Sequence, residues 1–295
     1  MWLLQKSFLI YSSVMKKFYL LGSPLNHSLS PFIHTTLYKH FGIEASYQLK
    51  PVSLEKLKNF IRKKDFDGIN VTSPYKQDVI SLVDKITPEA QECGSVNTLY
   101  FENRKLVGDN TDGLGFCNVL CKKNISLKNK AVLIIGAGAT AQTILQKVKK
   151  EKARSILVAN RTLEKAEKIN PSAFCSLSEV SYFLPQIDIL INTVSAFDSR
   201  FQRQPFPLVG AETGCQNSWI LDLTYNKCER EASLNDFLVS QKSLSDFENL
   251  GAISHTNYIN GQEFLLAQAL LSFKRWFPEI NTDQFSYQEF FTSFS

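Results

Sequence analysis

The chain has 295 residues, 44% hydrophobic and 12% aromatic, with 33 Lys and Arg against 28 Asp and Glu and a net charge of +5. This length and composition predict a globular protein of one large domain or two ordinary ones. The mild positive charge is spread along the chain, so a nucleic-acid partner is not predicted. No segment reaches the ~18 consecutive apolar residues of a membrane-spanning helix, which argues against a membrane protein.

The first fourteen residues, MWLLQKSFLIYSSV, contain apolar runs that Gln5, Lys6 and Ser7 interrupt, and no small-residue cleavage site follows. A signal peptide is therefore not predicted. Because Met15 stands directly before the first predicted strand, we expect translation to start there. Residues 1–14 would then be a tail or a misassigned start.

From Phe18 onward the chain alternates between predicted strands and helices. The strands are FYLLG, SYQLKPV and GINVT, and the helices run over about 32–41 and 54–63. Such alternation predicts an α/β fold with a mostly parallel sheet covered by helices. The third strand leads into a proline turn followed by Lys76, which taken alone is typical of a solvated loop charge.

The six cysteines form no CxxC pair, and no histidine is placed to complete a zinc site. No metal is predicted, and a reducing, cytoplasmic setting is expected. Cys117 and Cys121 lie four positions apart on a predicted helix and could share a face. We expect them to be small buried thiols.

A second α/β series begins at Ala131 with AVLIIGAGATAQTILQKVKK, and SILVAN, IDILINTV and SWILDLTY follow. An apolar strand, a glycine-rich turn and a helix in this order favour a Rossmann-type dinucleotide site over a plain tight turn. Glycine backbone admits a diphosphate to the amides and positive dipole of the helix N-terminus. The candidate cofactor-binding residues here are Gly136, Ala137, Gly138 and Ala139.

The end of the second strand of this series indicates which cofactor binds. An NAD site has an acid about 20 residues beyond the glycines, whereas this chain has Asn160, Arg161 and Thr162, followed by Lys165. A guanidinium with neighbouring donors suits a 2′-phosphate, and no carboxylate repels it. NADP is the predicted cofactor, with an ordinary surface charge as the alternative for Arg161.

Several polar and glycine-rich motifs follow one another in an order that resembles one family. They are GSPLNHSLSP at 22–31, NVTSPYK at 70–76, GSVNT at 94–98, GDNTDG at 108–113, GAGATA at 136–141 and NRT at 160–162. From about residue 17 to Trp276 the chain resembles the shikimate dehydrogenases, NADP-dependent enzymes of aromatic amino-acid biosynthesis. The resemblance implies a substrate-binding domain at 15–112 plus 261–295, a Rossmann NADP-binding domain at 113–260, and an active site in the cleft between them.

The resemblance places the family's catalytic lysine on Lys76 and its partner acid on Asp112. The implied reaction is the reversible reduction of 3-dehydroshikimate to shikimate. Hydride addition to a ring ketone develops alkoxide charge, so a proton donor must stand at that oxygen. Burial favours a neutral amine and a nearby carboxylate favours a charged one. Whether Lys76 transfers the proton or polarises the oxygen stays open.

The substrate-binding positions implied by the resemblance carry short hydroxyls and amides, which offer donors and acceptors to a ring with three hydroxyls. Ser28 and Ser30 match the pair that binds the substrate carboxylate, although serines here also suit the cap of the next helix. The other implied positions are Asn70, Thr72, Asn97, Tyr225 and Gln268. A packing role is the alternative for the tyrosine. The glutamine lies on a C-terminal helix expected to return to the first domain.

Three departures from the family are visible. The family commonly has glycine and methionine where this chain has Glu263 and Phe264, next to the nicotinamide position expected around Gly261. The phosphate turn reads GAGAT where the family has GAGGA. The proline-containing loop usual after the tyrosine at 225 is absent.

The nearest alternative function is a quinate or dual quinate/shikimate dehydrogenase, which acts on a substrate that differs by one ring hydroxyl. A methylenetetrahydrofolate dehydrogenase and a non-catalytic NADP-binding regulator of the same fold are more distant alternatives. The expected partners are small molecules alone, with no nucleic acid and no membrane. A monomer or a homodimer is expected.

Overall fold

The computed structural model describes residues 15–25, 28–169, 171–194, 218–224, 256–259, 261–283, 285–287 and 290. These residues form two α/β domains, each built on a six-stranded sheet, which confirms the predicted fold class. The predictions for residues 1–14 and for Tyr225 concern positions outside the described residues.

The first sheet is mixed. Its strands are β1 (Lys16–Gly22), β2 (Ala45–Pro51), β3 (Gly68–Val71), β4 (Lys85–Ile86), β5 (Thr98–Glu102) and β6 (Lys105–Asp109). The strand order is β2-β1-β3-β5-β6-β4, in which β5 is antiparallel to both neighbours and the other pairings are parallel. The helices of this part of the chain are α1 (Ser30–His40), α2 (Leu54–Lys63) and α3 (Pro88–Cys93).

A tight hairpin between β5 and β6 was not predicted from the sequence. Its two central residues, Asn103 and Arg104, have φ values of 49° and 64°. Positive φ at both positions is what a type I′ turn requires, and that turn matches the twist of paired antiparallel strands. Asn-Gly is the usual sequence of such a turn. Because this chain has arginine in place of the glycine, the turn was not recognised. The hairpin matters because β6 leads directly into the site residues at 110–112.

The second sheet is parallel throughout its described strands. These are β7 (Ala131–Ile135), β8 (Ser155–Asn160), β9 (Ala173–Ser176), β10 (Ile189–Asn192), β11 (Ser218–Asp222) and β12 (Thr256–Ile259). The order β12-β11-β10-β7-β8-β9 is that of a Rossmann sheet, whose ligands bind beyond the carboxyl ends of the strands where the order reverses. The remaining helices are α4 (Thr111–Lys122), α5 (Ala139–Lys150), α6 (Leu163–Lys168), α7 (Val180–Phe183) and α8 (Gly261–Trp276).

Helices α4 and α8 connect the two domains. Helix α8 buries Phe264 in the core of the second sheet and Leu266 and Phe273 in the core of the first. The two helices meet at Gly115, where an added Cβ would lie 3.0 Å from the backbone nitrogen of Gln268. The C-terminal helix therefore contacts both domains, and the small residue on α4 permits the close approach that places Gln268.

A larger side chain at Gly115 should force these helices apart. We expect Gly115→Val to lower the free energy of unfolding by about 1–3 kcal/mol, because overpacking at a backbone contact cannot be relieved by a rotamer change. Urea denaturation measures the change. Asn118→Val, on the exposed face of the same helix, controls for the lower helix propensity of valine. Equal midpoints for the two variants would contradict the proposed close contact.

The expectation that both helix cysteines are buried is wrong for one of them. Cys117 is half-buried and Cys121 is exposed. Helix α4 turns Phe116, Val119 and Leu120 into the core of the second sheet, so position 121 faces away from it. Among the described residues, no group of three or more His, Cys, Asp or Glu is placed to hold a metal ion. No helix in this part of the chain has the length and apolar character to cross a membrane.

Candidate active site

A cavity of about 360 Å³ lies between the two domains. The segments that follow β1, β3, β10 and β11 line it, together with the residue before β5, the first turns of α4 and α5, and the first two turns of α8. Eight residues predicted from the sequence line this one cavity: Ser28, Ser30, Asn70, Thr72, Lys76, Asn97, Asp112 and Gln268. Their convergence means that one ligand can contact all of them.

Lys76 and Asp112 form a buried ion pair in the cavity wall. Lys76 Nζ lies 2.5 Å from Asp112 Oδ2, and the side chains are 10% and 5% exposed. Lys76 follows β3, whereas Asp112 lies in the first turn of α4. A charge-assisted hydrogen bond of this length holds the amine in one orientation at the cavity surface.

The carboxylate of Asp112 is held through both of its oxygens. Asn97 Nδ2 donates to Asp112 Oδ1 at 2.7 Å, opposite the bond from the lysine. The backbone N–H of Asp112 donates to Oδ1 of Asn110, the N-cap of α4, at 3.0 Å. Thr111 N–H in turn donates to Asn97 Oδ1 at 2.9 Å. The negative charge thus lies at a helix N-terminus, where the helix dipole stabilises it.

Asn70 reaches the cavity with its amide oriented by the protein. Tyr47 Oη donates to Asn70 Oδ1 at 2.9 Å, and Asn70 Nδ2 donates to Ser272 Oγ at 3.0 Å and to Thr98 Oγ1 at 3.1 Å. The ring of His34 stacks on Tyr47 with a centroid distance of 4.4 Å. Burial lowers the pKa of His34 to about 3, so this imidazole is neutral packing behind the site.

Ser28 and Ser30 lie at the start of α1. Ser28 Oγ accepts a hydrogen bond from the backbone N–H of Ser30 at 3.3 Å, and the N-cap residue Leu29 has no capping side chain. The two roles predicted for these serines, helix capping and substrate binding, are therefore compatible. Ser28 satisfies one backbone donor of the helix, and both residues line the cavity. Two hydroxyls at a helix N-terminus suit a carboxylate.

The turn between β7 and α5 has the geometry of a phosphate site. Gly136 has a φ of 110°, and an added Cβ would lie 2.4 Å from Thr193 Oγ1, so only glycine fits. Gly138 is the N-cap of α5, and an added Cβ there would meet nothing within 4 Å. No side chain caps this helix. Its N-terminal amides are open to an anion, with Ala137 and Ala139 half-buried beside them.

The four residues predicted to select NADP run from the end of the neighbouring strand into the first turn of α6. Asn160 ends β8, which pairs with β7, and Asn160 Nδ2 donates to the backbone oxygen of Thr162 at 2.8 Å. Arg161 and Lys165 are exposed. Arg161 directly follows β8, the strand next to the glycine-rich turn, and Lys165 lies in α6.

Glu263 and Phe264, which differ from the residues common in the family, lie in different surroundings at the start of α8. Gly261 packs so tightly that an added Cβ would lie 2.1 Å from the backbone oxygen of Thr224. Glu263 pairs with Lys123 at 2.8 Å, whereas Phe264 lines the cavity and is 4% exposed. Of the two departures, the aromatic ring is the one that contacts the site.

Several residues that line or support the site were not predicted from the sequence, among them Thr140 and Ser272. Thr140 lines the cavity, and its Oγ1 lies 3.3 Å from Lys76 Nζ. Ser272 is fully buried and bonds Thr98 Oγ1 at 2.8 Å as well as Asn70. Ser272 is one turn beyond Gln268 on the same largely apolar helix, so its polar side chain was the signal that the sequence offered.

Comparison with known proteins gives the same assignment over most of the chain. The family model described as shikimate dehydrogenase substrate binding domain matches residues 20–99, and the model described as shikimate / quinate 5-dehydrogenase matches residues 119–227. A crystal structure of shikimate 5-dehydrogenase from Thermus thermophilus in complex with NADP(H) and shikimate has a TM-score of 0.69 and 27% identity. That match covers 89% of this chain and 93% of the other.

Two curated relatives are named shikimate dehydrogenase (NADP(+)). The protein of Caldicellulosiruptor saccharolyticus is 34% identical over 286 residues, which is 92% of this chain and 95% of the relative. That of Geobacillus kaustophilus is 35% identical over 282 residues, which is 90% of this chain and 96% of the relative. With both domain models matched in order, this chain belongs to the shikimate dehydrogenase family.

Proposed function

We propose that this protein catalyses the reversible, NADP-dependent reduction of 3-dehydroshikimate to shikimate in aromatic amino-acid biosynthesis. The observation that carries the proposal is the buried pair of Lys76 and Asp112 in the wall of a polar cavity. The curated relatives are named as NADP-dependent shikimate dehydrogenases, and a structural neighbour holds both NADP(H) and shikimate. These relationships support both the reaction and the cofactor.

Lys76 is the proposed proton donor. When bound, NADPH supplies the hydride that the ketone carbon accepts. The carbonyl oxygen then takes a proton from Lys76 Nζ, and the amine recovers one from solvent; oxidation reverses both transfers. Asp112 acts through the amine, because its carboxylate accepts a hydrogen bond from Nζ and so fixes the position of that atom.

The polar side chains around the pair are proposed to orient the ring. The hydroxyls of Ser28 and Ser30 at the start of α1 bind the carboxylate. Neutral amides and hydroxyls bind the ring hydroxyls, and these belong to Asn70, Thr72, Asn97 and Gln268. Tyr225, outside the described residues, is proposed to contact the substrate because its position matches that of the cleft tyrosine in the resembled family. A volume of about 360 Å³ is within the usual range for a small-molecule site.

The second domain is proposed to bind NADP. The diphosphate would lie on the turn formed by Gly136, Ala137, Gly138 and Ala139, and the nicotinamide near Gly261. The 2′-phosphate would lie on Asn160, Arg161, Thr162 and Lys165. The proposed domain limits are 15–112 with 261–295 for substrate and 113–260 for cofactor. The core contacts of Phe264 with the second sheet show that α8 is shared between the two units.

Removing the guanidinium should change the cofactor preference. We expect Arg161→Ala to raise the Kd for NADP by about 10- to 100-fold, since a hydrogen bond to a charged group contributes roughly 1.5–3 kcal/mol. The Kd for NAD should change less than about twofold, because NAD lacks the 2′-phosphate. Calorimetric titration with each cofactor measures both constants. Arg62→Ala, exposed on α2, is the control, and a parallel loss for NADP and NAD would reject the assignment.

Steady-state assays with shikimate and quinate, each with NADP and with NAD, test the function. The highest kcat/KM is expected for shikimate with NADP. A higher value for quinate would identify a quinate dehydrogenase, an activity also named in the matching family model. Binding of NADP without turnover of either substrate would instead identify a non-catalytic regulator and reject the proposed enzyme.

Small molecules are the proposed partners, and the cytoplasm is the proposed location. A monomer or a homodimer is proposed as the active form. Size-exclusion chromatography with light scattering would distinguish the two, and a larger assembly would contradict both.

A further inference from the structure

Thr140 contacts the proposed catalytic amine from the opposite side of the cleft. It lies in the first turn of α5, directly after the glycine-rich turn, and its Oγ1 is 3.3 Å from Lys76 Nζ. Lys76 belongs to the first domain, whereas α5 covers the sheet of the second. This single hydrogen bond therefore joins the amine to the helix whose N-terminus is proposed to bind the cofactor diphosphate.

The position of α5 relative to Lys76 is set by further contacts with the first domain. Lys147 on α5 forms an ion pair with Glu89 on α3 at 2.6 Å, with side chains 7% and 16% exposed. Gln142 Oε1, also on α5, accepts a hydrogen bond at 3.3 Å from Nε2 of Gln77, the residue that directly follows Lys76. The approach of Thr140 to the amine thus belongs to a continuous interface between the domains.

The small number of hydrogen-bond donors on the Lys76 ammonium means that this contact affects its orientation. A lysine ammonium has three donors in a tetrahedral arrangement and no acceptor. Asp112 Oδ2 and Thr140 Oγ1 take two of these donors, at 2.5 Å and 3.3 Å. Both bonds hold the ammonium against rotation about Cε–Nζ, which leaves one direction for the third N–H. Without the threonine, only the bond to the carboxylate would oppose this rotation.

We propose that Thr140 is a positioning residue that directs the third N–H of Lys76 at the substrate oxygen when the two domains are closed. The inference deepens the proposed function and rests on it. A hydroxyl suits this role because its oxygen accepts from the amine without adding a second negative charge beside Asp112. After Nζ gives its proton to the substrate oxygen, the Thr140 hydroxyl still accepts from one of the two remaining N–H groups, so the amine keeps its orientation until it recovers a proton.

The sequence departs from the family at this place. The phosphate turn reads GAGAT where the resembled family has GAGGA, and the final threonine is Thr140. An alanine at this position has no group that could bond the amine. The proposed role of Thr140 therefore applies to this chain. Binding of the cofactor alone does not require a threonine at this position.

The test compares Thr140→Val, which keeps the shape and removes the hydroxyl, with Thr140→Ser, which keeps the hydroxyl. We expect valine to lower kcat roughly three- to tenfold, the usual effect of one hydrogen bond. The KM for shikimate and the Kd for NADP should stay within about twofold of wild type, because a residue that acts through the amine affects the transition state selectively. Serine should restore kcat to within about twofold of wild type.

Thr35→Val, exposed on α1, is the matched control and should leave every constant unchanged. Thr140→Ala, which favours the helix, provides the same measurement if valine disturbs folding, as judged by near-UV circular dichroism. A wild-type kcat in both Thr140→Val and Thr140→Ala would overturn the inference. A raised Kd for NADP with unchanged kcat in these variants would overturn it too. Wild-type protein inactive with shikimate and NADP would reject the proposed function itself, so the two failures are distinguishable.

Discussion

Lys76→Met should lower kcat by about a thousandfold while the Kd for shikimate stays within roughly threefold of wild type. Methionine keeps the length and apolar stem of the side chain but has no proton to transfer. General acid–base catalysis contributes about 10²- to 10⁴-fold to enzymatic rates. Since the substrate is proposed to be bound chiefly by neutral hydroxyls and amides in the same cavity, its ground-state affinity should survive.

Steady-state kinetics and calorimetric titration of shikimate onto the enzyme measure the two quantities separately. Lys56→Met, on the exposed face of α2, is the matched control and should retain full activity. An equal loss in kcat and in shikimate affinity would assign Lys76 to substrate positioning. Thermal unfolding of each variant establishes that the rates refer to folded protein.

Asp112→Asn should lower kcat by about 100-fold although the side chain has almost the same shape. Both carboxylate oxygens accept hydrogen bonds, one from Lys76 and one from Asn97. An asparagine has a single oxygen, so one of these donors would face an NH₂ group. The lysine then loses a charge-assisted bond worth about 1.5–3 kcal/mol, which is consistent with the expected loss in rate.

A double variant tests whether the two residues act as a unit. Lys76→Met combined with Asp112→Asn should be about as slow as Lys76→Met alone, because the carboxylate is proposed to act only through the amine. If the losses in kcat of the two single variants multiply in the double variant, Asp112 has an independent role. Asp283→Asn, exposed near the C-terminus, controls for the removal of one negative charge. Kinetics of the four proteins completes the cycle.

The architecture follows from patterns that are local in the chain. Continuous apolar strands such as AVLII, each followed by a helix, predict parallel pairing. The second sheet is parallel, and the first is parallel except at β5. The glycine at 136 is demanded by its positive φ and by the side chain of Thr193. The hairpin at Asn103 and Arg104 was missed because tertiary pairing of β5 and β6 overrides the weak turn propensity of arginine.

The residues of the site were predictable where short motifs carry them. The motif NVTSPYK contains Asn70, Thr72 and Lys76, and GDNTDG contains Asp112, and all four line the cavity. Reading these residues from composition alone would have made Lys76 a solvated charge. The resemblance of these ordered motifs to the shikimate dehydrogenases supplied the assignment. The motifs meet in the structure because those that follow β1, β3 and β6 lie at one edge of the first sheet.

By itself the sequence determined the fold class, the glycine-rich turn and the identity of the polar groups available for chemistry. Only the tertiary structure decided which of these groups meet. Lys76 contacts Asp112 and Thr140, which lie 36 and 64 positions further along the chain. Local preferences act over a few residues, whereas burial and pairing arise when distant segments pack. That packing converts the lysine after a proline turn from a typical surface charge into a buried amine facing a cavity.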